Sequence, residues 1–156
     1  ILGNVTEAKI RLSQSERDVL YNAKINPIAT FPATGVCIWG QKTLQERPTA
    51  LDRINVRRLL ITLKKFIASS SKYLVFEQNT QATRNRFLNI VNPYLESVQQ
   101  RQGLYAFRVQ MDEGNNTPDV IDRNQLIGAI YLQPTKTAEF IILDFNVLPT
   151  GATFDA

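Results

Sequence analysis

The sequence predicts a mixed α/β (α+β) fold in which two long helices and one short N-terminal helix pack on a mixed β-sheet. Three observations predict it. Over residues 53–67, Val56, Leu59, Leu60, Leu63, Phe66 and Ile67 fall on one face at about 100° per residue, the signature of an amphipathic helix. Phe87, Ile90, Val91, Tyr94, Leu95 and Val98 keep the same period. Around these two patterns stand short apolar or β-branched runs at 36–39, 73–76, 104–110, 126–132 and 139–148, which read as strands.

In chain order, Ser13-Gln14-Ser15-Glu16 has the capping-box pattern, and a helix follows to about Lys24 with Val19, Leu20 and Ala23 inward. Asn26-Pro27 stops it. Residues 28–35, with Pro32 and Gly35, read as a loop or a poor strand, and Val36-Cys37-Ile38-Trp39 as a buried strand ended by Gly40. After a polar linker comes the first long helix, expected over 51–68 and broken by Ser69-Ser70-Ser71. Tyr73-Leu74-Val75-Phe76 reads as the next buried strand. Thr80 caps the second long helix, which runs to about Gln100 with a kink expected at Pro93 and Gly103 as its stop. A strand at 104–110, a polar turn at 111–116, and a short helix opened by Thr117-Pro118 follow. Strands at 126–132 and 139–148 close the order. In the last one, Ile141, Leu143, Phe145 and Val147 share a face, while on the other Phe140 and Ile142 give way to Asp144 and Asn146. Its first half is expected buried on both faces and its second on one. Residues 1–148 thus read as a single domain, and 149–156 as an exposed tail.

The chain has 156 residues, enough for one domain with a real core, and 44% hydrophobic with 21% charged content is that of a globular protein. No apolar run approaches 18 residues, so no transmembrane helix or membrane insertion is expected. There is no signal-peptide pattern, and a start without Met reads as a fragment of a longer chain. Histidine is absent and Cys37 is the single cysteine, which removes Ser/His and Cys/His nucleophilic pairs and Cys-rich metal sites. Neither GxGxxG nor a P-loop occurs. Asp112, Glu113, Asn115, Asn116 and Asp119 do not have EF-hand spacing and read as a solvated turn. Sequons at Asn4 and Asn115 matter only in a secreted protein. No catalytic set, metal or cofactor is expected.

The net charge of +4 is unevenly placed. Residues 1–100 hold 14 basic and 7 acidic side chains, a net of +7, and residues 101–156 hold 4 and 7, a net of −3. On the polar face of the first long helix, Arg53, Arg57 and Lys64 form one row and Arg58 and Lys65 a second, with Ile54 and Ile61 between them. Apolar residues inside a charged face mark a surface that meets another molecule, although surfaces also tolerate stray isoleucines. Basic charge admits a nucleic-acid-binding module as an alternative reading, but no dense run or basic-aromatic interleaving accompanies it. Opposite signs on two parts of one chain also suit head-to-tail assembly with copies of itself.

Trp39-Gly40-Gln41-Lys42-Thr43, followed by Ile54-Asn55-Val56-Arg57-Arg58-Leu59, resembles the tail sheath proteins of contractile-tailed bacteriophages. Phe76-Glu77, Asn116-Thr117-Pro118, Ile121-Asp122-Arg123 and the stretch from Pro134 through Ala138-Glu139-Phe140 fall in the same order as in that family. Ile121-Asp122-Arg123-Asn124 and Thr150-Gly151-Ala152 resemble the T-even-like members in particular. The resemblance covers nearly the whole chain and corresponds to the family's C-terminal core domain. It implies a structural protein of the virion, made in the host cytoplasm, whose copies stack as rings into a helical sheath around the tail tube. Contraction of that sheath drives the tube through the host envelope. It implies partners in other copies, the tail tube protein, and baseplate and tail terminator proteins, with no direct nucleic acid. Arms at both ends of the subunit add strands to neighbours' sheets. That makes Leu143, Asp144, Phe145, Asn146, Val147 and Leu148 the strand-exchange residues, and makes Arg53, Ile54, Arg57, Arg58, Ile61, Lys64 and Lys65 the expected tube- or subunit-facing set.

Overall fold

The computed structural model describes residues 1–143. The order is α1 (Gln14–Asn22), β1 (Ile28–Phe31), β2 (Gly35–Ile38), α2 (Ile54–Ser71), α3 (Gln81–Gln100), β3 (Leu104–Gln110), α4 (Pro118–Asp122) and β4 (Ala129–Pro134). Short 3-10 turns at Ala50–Asp52 and Lys72–Leu74 flank α2. The α+β class stands, but among the described residues the β-structure is two separate two-stranded antiparallel sheets, β1–β2 and β3–β4, in place of one mixed sheet.

The core lies between the helices and β3–β4. Leu63 of α2, Phe87, Val91, Leu95 and Val98 of α3, Leu104 of β3, and Leu74 and Met111 are buried together. Each such side chain stabilises the fold by about 1.5–3 kcal/mol relative to exposure. Phe66 of α2 stacks on Tyr94 of α3 with centroids 3.8 Å apart, which fixes how the two helices meet. The helix continues through Pro93, which the structure leaves on the exposed side.

Local signals explain the element ends. The capping box at Ser13 and Glu16 forms as expected. Helices α1, α3 and α4 all close in Schellman geometry. In each, a left-handed residue (Lys24, Gln102 or Asn124) and the residue after it donate to carbonyls of the last turn. The stop of α3 is therefore Gln102, at φ +64°, and not Gly103. Gly103 follows because a Cβ there would stand 2.8 Å from Val98 Cγ1 and 3.2 Å from the Val98 carbonyl.

Of the two readings for residues 28–35, residues 28–31 take the strand, closed onto β2 by a three-residue loop in which Thr34 N–H donates to the Phe31 carbonyl and Gly35 takes φ +83°. Four expectations are corrected. The serine run does not break α2, which extends to Ser71; the Ser71 hydroxyl donates to the Ala68 carbonyl. Residues 73–76 therefore form no strand. They turn under α2 with Leu74 buried, while Tyr73, Val75 and Phe76 lie in solvent. Val19 is likewise exposed instead of inward. Finally, the expected two-faced burial of 140–143 is not found. Phe140, Ile141, Ile142 and Leu143 are 83%, 80%, 92% and 70% exposed, outside any strand. With β3 and β4 paired only to each other, nothing covers these side chains among the described residues. Asp144, Phe145, Asn146, Val147 and Leu148, and the tail at 149–156, lie outside the described residues.

Candidate functional site

The outward face of α2 carries most of the predicted set. The 3-10 turn and an isolated bridge between Lys42 and Arg53 fix where the helix starts. Ile54 N–H donates to the Gln41 carbonyl at 2.8 Å, satisfying one of the helix's first N–H groups, which no Arg53 side-chain cap serves; Thr43 N–H donates to the Asp52 carbonyl at 2.9 Å and holds the preceding turn in place. Val56 and Leu63 point into the core, and that orientation turns Arg57, Arg58, Lys64 and Lys65 to solvent. None of these four makes an ion pair among the described residues. Helix α2 contains no acidic residue, so the face is one-signed. Ile61 stands 42% exposed among the cations, and Ile54 is half-buried.

Arg53 does not share this exposure. Its guanidinium forks onto Glu139, Nε to Oε1 at 2.6 Å and Nη2 to Oε2 at 3.2 Å, and Nη1 also pairs with Asp52 at 3.2 Å. The side chains of Arg53 and Glu139 are 27% and 17% exposed. Burial pushes the Glu139 carboxyl up, but hydrogen bonds from Arg53 and Tyr21 and the charges of Arg53 and Lys42 outweigh it and hold the group below the usual carboxylate range. The Tyr21 phenol is raised by burial and by Glu139. Lys42 completes the cluster: its Nζ sits 3.8 Å over the Tyr21 ring and donates to the Tyr21 carbonyl at 2.9 Å. Asn26 clamps the Lys42 backbone with one bond in each direction, at 2.9 and 2.8 Å. Gly40 makes room for this, since a Cβ there would lie 2.7 Å from Asn26 Oδ1 and 2.9 Å from the Tyr21 ring. Gln41 Nε2 reaches Thr137 Oγ1 at 2.8 Å. The Gly40-Gln41-Lys42-Thr43 stretch thus joins the end of α1, the start of α2 and the segment leading to residue 140.

A second polar hub lies away from this face. Asn116 is 2% exposed; its Nδ2 donates to the carbonyls of Asp112 and Ile127, and its Oδ1 accepts from Ile127 N–H at 2.9 Å. The acidic turn around it is an Asx-type turn, with Asp112 Oδ1 accepting from Gly114 N–H at 2.9 Å. Among the described residues no group of His, Cys, Asp or Glu is placed to hold a metal ion, and no helix is long and apolar enough to cross a membrane.

Residues 46–148 match the phage tail sheath C-terminal domain. The chain belongs to the phage tail sheath family. It is 42% identical over 96% of its length to the tail sheath protein of Vibrio phage KVP40, and 42% identical over 97% to that of Enterobacteria phage T4. It spans only 22% and 23% of those two proteins. Similar folds occur in the cryo-EM structure of the anti-feeding prophage baseplate (TM-score 0.84, 28% identity, 94% of this chain and 42% of that one). The contracted sheath complex of an extracellular contractile injection system matches with TM-score 0.83 and 31% identity, over 92% of this chain and 44% of that one. The family is structural, not enzymatic.

Sequence reasoning missed Tyr21, Lys42, Asp52 and Glu139 as partners of Arg53, and Asn116 as a hub. The one available signal was that Gly40 to Thr43 and Ala138 to Phe140 both fall within the stretches resembling the sheath family.

Proposed function

We propose that this chain is the polymerising core of a contractile tail sheath subunit. Copies stack as a helix around the tail tube in the virion, and contraction drives the tube through the host envelope for genome delivery. Its partners are other copies of itself, the tail tube protein, and baseplate and tail terminator proteins. Residues 1–148 act as the core domain, and its last residues, Leu143, Asp144, Phe145, Asn146, Val147 and Leu148, exchange with a neighbour. The observation that carries the assembly reading is the run Phe140-Ile141-Ile142-Leu143, four consecutive large apolar side chains left in solvent, in a molecule whose sheets have only two strands each among the described residues. Such a run and the edges of such sheets are aggregation hazards unless a neighbour covers them, and strand addition by a second copy covers both. A head-to-tail contact with a rise gives an open helix.

The remaining exposed cations of α2 serve as the tube- or subunit-facing surface, with either the Arg57 and Lys64 row or the Arg58 and Lys65 row toward the tube. The test is truncation after Ile142 in the native polypeptide, followed by electron microscopy. We expect polymerisation to be abolished, and more completely than by any single surface charge reversal. Normal contractile sheaths from the truncated chain would refute strand exchange. Soluble monomers that shift DNA with a steep salt dependence would favour a nucleic-acid-binding module instead.

A further inference from the structure

We propose that Arg53 and Glu139 are positioning residues that pin the root of the C-terminal segment, so that the chain leaves the domain at Phe140 in one direction and presents the following residues to a neighbour. The inference rests on the strand-exchange reading above. The change in environment at this point is abrupt. Glu139 is 17% exposed and held by a forked guanidinium; Phe140, the next residue, is 83% exposed. Nothing else among the described residues holds 140–143, so the last fixed point before the exposed run is the ion pair. It is supported two residues earlier by the Gln41 to Thr137 bond.

The pin is built from distant parts of the sequence. Arg53 and Glu139 are 86 positions apart, and Gln41 and Thr137 are 96 apart. Arg53 is also the N-cap residue of α2, the helix that carries the free cations. One residue therefore ties the departure point of the segment to the orientation of the basic face. A strand that must find a neighbour's sheet edge gains from a fixed origin, because a freely swinging root would spread the donor over many orientations and lose entropy on each exchange. A forked Arg–carboxylate pair is suited to this, since it constrains direction as well as distance. Asp52 adds a second carboxylate to the guanidinium, at 3.2 Å from Nη1, so Arg53 is held from two sides.

The test uses Arg53→Gln, Glu139→Gln and the double variant in the native polypeptide. Chymotrypsin cleavage after Phe140 needs the residues just before it to lie extended in the protease, which the pin prevents; cleavage after the exposed Phe76 is the internal reference. We expect each single variant to raise the Phe140 to Phe76 cleavage ratio on the order of tenfold or more, the size expected for losing a charge-assisted pair. The double variant should be no faster than the faster single, because the two act through one contact. On assembly, the variants should give short or irregular sheaths with an unchanged fold. Should Arg53→Gln fail to fold, the near-isosteric Glu139→Gln carries the test alone. An unchanged cleavage ratio, an additive double variant, or faster cleavage with sheaths indistinguishable from the parent would each overturn the proposal. Failure of strand exchange itself is told apart by the truncation after Ile142, which removes the segment and leaves the pin in place.

Discussion

Glu139 shows how one side chain links stability to pH. Its carboxyl is held below the ordinary value of 4.5 in the folded protein. A depressed carboxylate contributes stability that is complete above the unfolded value and is lost as the pH falls through the folded one. The parent should therefore lose stability on acidification below about pH 4.5 more steeply than Glu139→Gln, which has nothing to titrate there. At neutral pH the variant should be less stable by about 1–3 kcal/mol, the range for a charge-assisted hydrogen bond lost from a partly buried site. Thermal melts of both chains from pH 3 to 7 check this, and the difference between them removes the contributions of Glu16 and Asp112, whose carboxyls are also lowered. Parallel pH profiles would show that the pair does not contribute. Asn116 makes a related point at the same scale: a polar side chain can be fully buried when every hydrogen-bonding group on it has a partner.

Helix α2 divides its tasks by face. The core side is fixed by Val56 and Leu63, and the opposite side carries four cations that no acid pairs with among the described residues. Surface charges away from buried features change stability by no more than about 0.5 kcal/mol. Arg57→Glu with Lys64→Glu should therefore leave the melting temperature nearly unchanged, while attachment of sheath to tube weakens. Parent attachment should itself fall as salt rises, since exposed charges are screened beyond about 8–10 Å at physiological ionic strength. Circular dichroism and microscopy of assembled tails check both halves. Normal assembly by the doubly reversed chain would exclude this row as the tube-facing one.

The molecule as a whole has one main core and one outlying unit. The α2–α3–β3–β4 core contains the deepest side chains, including Val91 and Leu95 at 0% exposure. The β1–β2 hairpin buries Ala29, Val36 and Cys37 outside that cluster and leaves Ile28, Ile38 and Trp39 exposed. Regions with fewer buried apolar contacts open at lower free energy than the global transition. Native-state hydrogen exchange should therefore show the hairpin amides exchanging well before those of α3 around Val91 and Leu95. Equal protection across both regions would mean that the hairpin unfolds only with the core.

Much of this architecture was legible before any coordinates. The capping box, the two long amphipathic helices, the cap at Thr80, the strand at 104–110 and the Thr117-Pro118 helix start all follow from short-range rules. Side-chain period and cap chemistry depend on residues within one or two turns. The basic face of α2 was legible for the same reason, because a helical period places side chains relative to one another whatever surrounds them.

The failures share a different cause. Residues 73–76 and 140–143 have strand composition, yet a strand exists only if another strand lies beside it, and here none does among the described residues. Arg53 was counted with the exposed row because helical geometry puts it there. Glu139, 86 positions away, draws it inward. By itself the sequence determined where the long helices lie, which of their faces is apolar, and that the chain has no histidine and a single cysteine. Only the tertiary structure decided how the strands pair, which cations stay unpaired among the described residues, and where the C-terminal segment is tied down. Those depend on where the chain returns to itself, and local periodicity holds no information about contacts that loop closure makes across ninety residues.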